Sequence, residues 1–337
     1  MSSSVSDAPR EYVADLFSAN ASPPERFISN MNEAKSLMHD YLIKRISAVL
    51  ETLPGQPCVL LSGGVDSVLN AASLQSLGSS PLCLTIAVEG LPSSDRDGAE
   101  LVARSMGLRQ ETLALTTDEL RGLIETVSSD LDCRELWELS AGIPFRAAFK
   151  HLDKLGIDEG AVFTGGGADV LLAGGQWLPE GPHRVDELTS IIWEKVGTSF
   201  TYWRRVPDFY ERVLGTSAPR LIHLFQTVAA WDSTKHLGPD VLFERREVDG
   251  NAAFFDKAVL RHLAVDLGVP SDLAWTPKLP MQVASGIIGG IVFLAREAVS
   301  ELPDAGLHDD PMTEPIEHSL ARLYLSDGRQ DKSDSLS

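Results

Sequence analysis

The chain has 337 residues, enough to bury a sizeable core in one large or two medium domains, and its 43% hydrophobic and 23% charged residues are the balance of an ordinary globular protein. Lys and Arg number 29 against 48 Asp and Glu, and the resulting charge of -19, with no basic stripe to offset it, excludes nucleic acid and anionic membranes as expected partners. The cysteines Cys58, Cys83 and Cys133 form no C-x-x-C pair, so neither a disulfide framework nor a zinc site is expected, and a reducing, cytoplasmic setting is.

Residues 1–25 are rich in Ser, Ala and Pro and read as a flexible N-terminus, and "MSSSVSDAPREY" lacks the apolar stretch of a secretory signal. From Asn32, apolar residues recur at Met38, Leu42, Ile46, Val49, Leu50 and Leu53, the spacing of a helix that Pro54-Gly55 ends. "CVLL" follows as a buried strand, and Ser67 to Leu77 as a helix closed by Gly78. "LCLTIAV" is apolar throughout, hence a strand covered on both faces. "SSDRDGAELVARSMG" reads as a helix with a capping box of Ser94 and Asp97, ending at Gly107. "ETLALT" is a third strand; "AVF" before Thr164 is a fourth, with helical segments around 118–129 and 141–155 between them.

Strands alternating with helices over residues 55–175 predict an α/β fold: a doubly wound, mainly parallel sheet flanked by helices, serving as a nucleotide-binding core. Residues 184–325 show helical periodicity and few strand signals, predicting a mostly helical substrate part of the same 26–325 domain. The run "VASGIIGGIVFLA" is too short and too glycine-rich to cross a bilayer. The last residues, 326–337, "SDGRQDKSDSLS", read as a flexible tail.

The chemistry begins at "LLSGGVDS". A strand runs into Ser62-Gly63-Gly64 and a helix starts near Asp66. Glycines allow a tight turn and close backbone approach, and the N–H groups of the turn and helix start make an anion site to which the Ser62 and Ser67 hydroxyls can add donors. Asp66 places a negative charge where phosphate would sit. A magnesium ion between carboxylate and phosphates reconciles the two, since that ion takes oxygen ligands and one or two carboxylates. The plainer alternative is an Asp that merely caps a helix. The lysine of the G-x-x-x-x-G-K-[ST] loop is absent, which turns attention from transfer of the terminal phosphoryl group to attack at the α-phosphate with pyrophosphate leaving.

S-G-G-x-D-S after a first strand resembles the pyrophosphate loop of the N-type ATP pyrophosphatases, which include asparagine, β-lactam, GMP and NAD synthetases and tRNA-thiolating enzymes. "VFTGGGADVLLAGG" narrows the resemblance to the asparagine synthetase and β-lactam synthetase branch, synthetase domain only, with the adenine nucleotide α-hydrolase-like fold. That resemblance implies cleavage of ATP to AMP and pyrophosphate with an adenylated intermediate, and Asp66 and Asp169 as the pair holding Mg2+. "TPKLPMQVASG" resembles the branch's K-x-x-x-x-x-x-S-G segment, which makes Lys278 the residue implied to stabilise charge on the acyl-adenylate and the tetrahedral species. "VDGNAAFFDKAVLRHLA" resembles the R-x-P-F-L-D segment, with Phe255-Asp256 in place, Arg and Pro missing, and a packing role implied. Adenine is expected along the second strand near Val88, which would offer backbone polar groups and apolar contact, with Leu61 and Thr164-Gly165 lining the same pocket.

Two departures stand out. Gly166 occupies the place of the branch's Glu or Tyr, and Val170 that of an acidic residue, so the general base is missing; Glu135, Glu138 and Tyr202 are the candidates to replace it. The short stretch before the loop leaves no room for a glutaminase domain, so nitrogen is expected from ammonia, a separate glutaminase or the substrate's own amine. The reading is an AMP-forming ligase that uses ATP and Mg2+ to join a small-molecule carboxylate to an amine or ammonia, in specialised metabolism, with a glutaminase, a carrier protein or a second copy of the chain as protein partners. Its alternatives are a sulfur-transfer enzyme acting on tRNA and a degenerate nucleotide-binding subunit.

Overall fold

The computed structural model describes residues 22–176, 181, 183–199, 206, 208–248, 250–277 and 279–333. Five strands, β1 (Cys58–Leu60), β2 (Leu82–Val88), β3 (Arg109–Leu115), β4 (Val162–Thr164) and β5 (Leu221–His223), form one sheet in the order β3-β2-β1-β4-β5, every pair parallel. The connections carry α1 (Met31–Thr52) before β1, then α2 (Val65–Ser76), α3 (Ser94–Met106), α4 (Thr117–Leu131) and α5 (Leu136–Lys154). This is the doubly wound arrangement that the alternating pattern predicts.

Side chains alternate across the strands into two cores. Val59, Cys83, Phe163 and Ile222 face one, packed by α1, α2 and α3. Cys58, Leu82, Leu84, Val162 and Leu221 face the other, under α4 and α5. Both faces being covered explains why β2 is buried along its whole length and reads as an unbroken apolar run. Each such buried Leu, Ile or Val contributes about 1.5–3 kcal/mol. Edge strand β3 is mostly half-exposed, and its sequence is correspondingly more polar.

The rest of the chain is largely helical: α6 (Ala168–Leu171), α7 (Arg184–Ser199), α8 (Phe209–Leu214), α9 (Val228–Thr234), α10 (Pro239–Leu242), α11 (Ala258–Asp266), α12 (Ser271–Ala274), α13 (Met281–Ala284), α14 (Ile287–Ser300) and α15 (Ile316–Ser333). It also holds strands. β5 belongs to the main sheet although it lies beyond 55–175, and β6 (Glu244–Val248) and β7 (Asn251–Phe255) form an antiparallel hairpin. β5 is three residues long and follows Pro219-Arg220, too short for any periodic signal.

Two local expectations are corrected. The cap of α3 is Ser93, whose hydroxyl accepts the Arg96 N–H while donating to the Ala284 carbonyl, so Ser94 is already helical. α15 continues to Ser333 through most of the stretch read as a loose tail; no proline interrupts it, and Arg329, Gln330 and Lys332 are good helix formers. Among the described residues, no helix is long and apolar enough to cross a membrane.

Candidate active site

The strand order reverses between β1 and β4, because β2 and β3 lie to one side of β1 and β4 and β5 to the other. In open α/β sheets the crevice at the carboxyl ends of the strands beside such a reversal is where ligands bind. Both glycine-rich motifs sit there, one after each of the two central strands.

After β1 the chain turns through Gly63, at φ +70, and Gly64 caps α2. Ser67 closes the turn: its hydroxyl accepts the Ser62 N–H at 3.1 Å, donates to the Gly64 carbonyl at 3.1 Å and lies 3.2 Å from the Ser62 hydroxyl. Asp66 stands in the first turn of α2, where the helix N-terminus favours a negative charge, and it is buried. After β4, Gly165 lies against Asp66, so close that an ideal Cβ on this glycine would stand 2.5 Å from the Asp66 Cβ. The two loops therefore touch backbone to side chain. Lys195 of α7 supports the second loop by donating to the Gly174 carbonyl at 2.9 Å. Burial holds its ammonium below the ordinary lysine range, with the Asp169 carboxylate pulling the other way.

Asp66 and Asp169 do converge, and what joins them is Lys257. Its ammonium donates to Asp66 Oδ1 at 2.9 Å, to Asp66 Oδ2 at 2.8 Å and to Asp169 Oδ1 at 2.7 Å. An ammonium has three donors, and each reaches a carboxylate oxygen. Lys257 and Asp66 are almost wholly buried, while the Asp169 side chain is 54% exposed. Lys257 is also the N-cap of α11 at φ 52, a left-handed conformation that non-glycine residues adopt rarely and that concentrates at functional sites.

Arg261, one turn into α11, fixes this lysine's turn. It donates to the Asp256 carbonyl and carboxylate, and to the carbonyls of Ala274 and Thr276. Asp256 in turn accepts the Gly175 N–H from the loop after β4. The packing role expected of Phe255-Asp256 is thus a hydrogen-bonded one, tying the second loop to the lysine turn and to the segment at Thr276-Pro277. Lys278 itself lies outside the described residues. The Ser285-Gly286 end of its motif reaches β2, since the Val88 N–H donates to the Ser285 carbonyl at 3.2 Å.

The Val88 N–H is thus taken by Ser285 and its carbonyl accepts the Leu91 N–H, while its side chain offers apolar contact. Leu61 is likewise a core residue, its N–H on the Leu84 carbonyl and its own carbonyl accepting the Thr85 hydroxyl. The Thr164 hydroxyl lies 2.6 Å from His223 Nδ1 and accepts the Gly166 N–H. Among the base candidates, Glu135 caps α5 by accepting the Trp137 and Glu138 N–H groups, Glu138 is half-buried in the first turn of that helix, and Tyr202 lies outside the described residues.

His223, which sequence reasoning passed over, explains Gly166. An ideal Cβ at Gly166 would lie 2.6 Å from His223 Nδ1, so the ring fills the space that a side chain at that position would need. Burial pushes the imidazole down to about 3, leaving it neutral near pH 7. Gly166→Ala is expected to cost about 1–3 kcal/mol by overpacking. In a His223→Ala background the penalty should shrink by at least about 0.5 kcal/mol, measured as a double-mutant cycle in urea. Additive penalties would show that the ring does not set the constraint.

The donor set formed by Asp66 and Asp169 suits a hard divalent cation, since both offer carboxylate oxygens and both already converge on one positive charge. Residues 55–246, more than half of the chain, match the family model described as Asparagine synthase. The chain belongs to the asparagine synthase family. An ATP-utilising, ligase-type chemistry goes with that membership. This asparagine synthase family member also shows likeness to solved structures, including two of low sequence identity. One is an NH3-dependent NAD synthetase from Campylobacter jejuni, at 14% identity and TM-score 0.32, over 51% of this chain and 79% of that one. The other is a "predicted subunit of tRNA methyltransferase" from Methanocaldococcus jannaschii, at 18% identity and TM-score 0.28, over 67% and 94%. No curated protein matches.

Proposed function

We propose that this asparagine synthase family member is an AMP-forming ligase that adenylates a small-molecule carboxylate and passes the acyl group to an amine or ammonia. The observation that supports this reading is the meeting of Asp66 and Asp169 at the reversal point, beside a glycine turn that opens α2. Asp66 and Asp169 would hold Mg2+, which when bound neutralises phosphate charge and favours departure of pyrophosphate. The Ser62-Gly63-Gly64 turn and the first N–H groups of α2 cradle that leaving group, as helix N-termini do for anions. A substrate carboxylate oxygen attacks the α-phosphorus, the bond from that phosphorus to the bridging oxygen of pyrophosphate breaks, and an acyl-adenylate forms. The amine nitrogen then attacks the acyl carbon and gives up a proton to solvent, AMP leaves with the electron pair of the broken C–O bond, and Lys278 steadies the oxyanion between these events.

With no acidic side chain at Gly166 or Val170, the nucleophile suited to this site is one that needs little help from a general base, such as a hydrazine, a hydroxylamine or an already neutral amine. The sulfur-transfer alternative is disfavoured at two of the three thiols: Cys58 and Cys83 are fully buried, and burial raises both, Cys83 to about 12, while Cys133 is half-buried.

The test is pyrophosphate release from purified protein with ATP, Mg2+ and a panel of carboxylic acids, with hydroxylamine as acyl acceptor. Acid-dependent release is expected, and Lys278→Ala should still bind ATP while turning over at least about 100-fold more slowly. ATP binding with no release for any acid would instead support the nucleotide-binding subunit.

A further inference from the structure

Lys257 occupies the place between the two carboxylates assigned above to a divalent cation, with all three of its N–H donors engaged. An ammonium sits 2.7–2.9 Å from these oxygens, whereas Mg2+ needs them at about 2.0–2.1 Å, so the two cannot share one centre. Charge decides when each is favoured. Asp66, Asp169 and Lys257 carry one negative charge between them, and the Lys195 ammonium beside Asp169 offsets it further, leaving too little to hold a divalent ion close against a like-charged neighbour. A triphosphate brings several further negative charges, enough to accept the ion and to offer the displaced ammonium new oxygens.

We propose that Lys257 is a tethered cation that keeps the Asp66–Asp169 site closed to free divalent metal, so that the metal enters only together with the nucleotide. The inference rests on the reading of these aspartates as the metal pair. Three features of this chain support a built-in device over an incidental ion pair. Lys257 is 1% exposed, it is held in the left-handed region, and Arg261 locks the turn that carries it.

The experiment is Mn2+ titration followed by electron paramagnetic resonance on the full chain, with and without α,β-methylene ATP. Without nucleotide, wild type is expected to bind Mn2+ no more tightly than Asp66→Asn does. Lys257→Met should bind Mn2+ alone at least about tenfold more tightly than wild type, and adding Asp169→Asn should remove the gain. With the analogue, wild type should acquire a site that Asp66→Asn lacks. Tight Mn2+ binding to nucleotide-free wild type, lost in Asp66→Asn, would overturn the role of Lys257 while leaving the metal pair standing. A Lys257→Met protein that binds Mn2+ no better than wild type would overturn it too. If Mn2+ binding with the analogue is unchanged by Asp66→Asn, the metal pair falls and this inference with it. Should Lys257→Met fail to fold, the comparison of wild type with Asp66→Asn without nucleotide decides alone.

Discussion

Asp66→Asn is expected to abolish pyrophosphate release and also to destabilise the fold by about 3 kcal/mol, whereas Asp169→Asn abolishes release at a stability cost of under about 1 kcal/mol. The two carboxylates share a partner but not an environment. Asp66 is buried with Lys257, and removing its charge leaves an ammonium out of water with one acceptor fewer of full charge. Asp169 is 54% exposed at its side chain, so water screens its half of the interaction and fills in when it is lost. Both variants remove one of the two carboxylates proposed to hold the divalent ion. Urea denaturation of each protein beside the pyrophosphate assay separates the effects. Equal stability losses would contradict the burial argument, and normal release from either variant would remove that residue from the site.

Arg261→Ala is expected to cost about 3–5 kcal/mol and to lower turnover as well. The guanidinium is 2% exposed and bonds the carbonyls of Asp256, Ala274 and Thr276 and the Asp256 carboxylate. It also lies over the rings of Phe255 and Trp275. Truncation strands the buried Ala274 carbonyl, removes the ties to the half-buried Asp256 and unpins the turn holding Lys257. Arg261→Lys should recover little, because an ammonium cannot reproduce the planar fork. The measurement is the urea midpoint of the three proteins. A loss below about 1 kcal/mol for Arg261→Ala would mean that the turn is held by its apolar neighbours instead.

β1, β2 and β4 were legible because each is a compact apolar run bounded by glycine or proline, the more polar β3 was read from "ETLALT", and their alternation with helices dictates a parallel sheet. β5 was not, since Leu221-Ile222-His223 is too brief to show a period and its partner β4 lies far away in sequence. The two aspartates were legible because each follows a glycine turn after a strand, a local pattern with a chemical meaning. Lys257 and Arg261 were hidden for the opposite reason. A lone lysine or arginine is ordinarily a solvated surface residue, and nothing local says that these are buried. The one signal available was their four-residue spacing inside "FFDKAVLRHLA", a run otherwise apolar enough to be buried all round. His223 was hidden likewise, because the vacancy at Gly166 that it fills becomes visible only once β5 is laid beside β4.

The claim on which the rest depends is that the crevice between β1 and β4 directs attack to the α-phosphate of ATP. Separating the products of [α-32P]ATP formed by wild type, Asp66→Asn and Asp169→Asn with an accepted carboxylic acid tests it most directly. Labelled AMP with equimolar pyrophosphate from wild type, and neither from the two variants, is the expected result; labelled ADP with inorganic phosphate would contradict it.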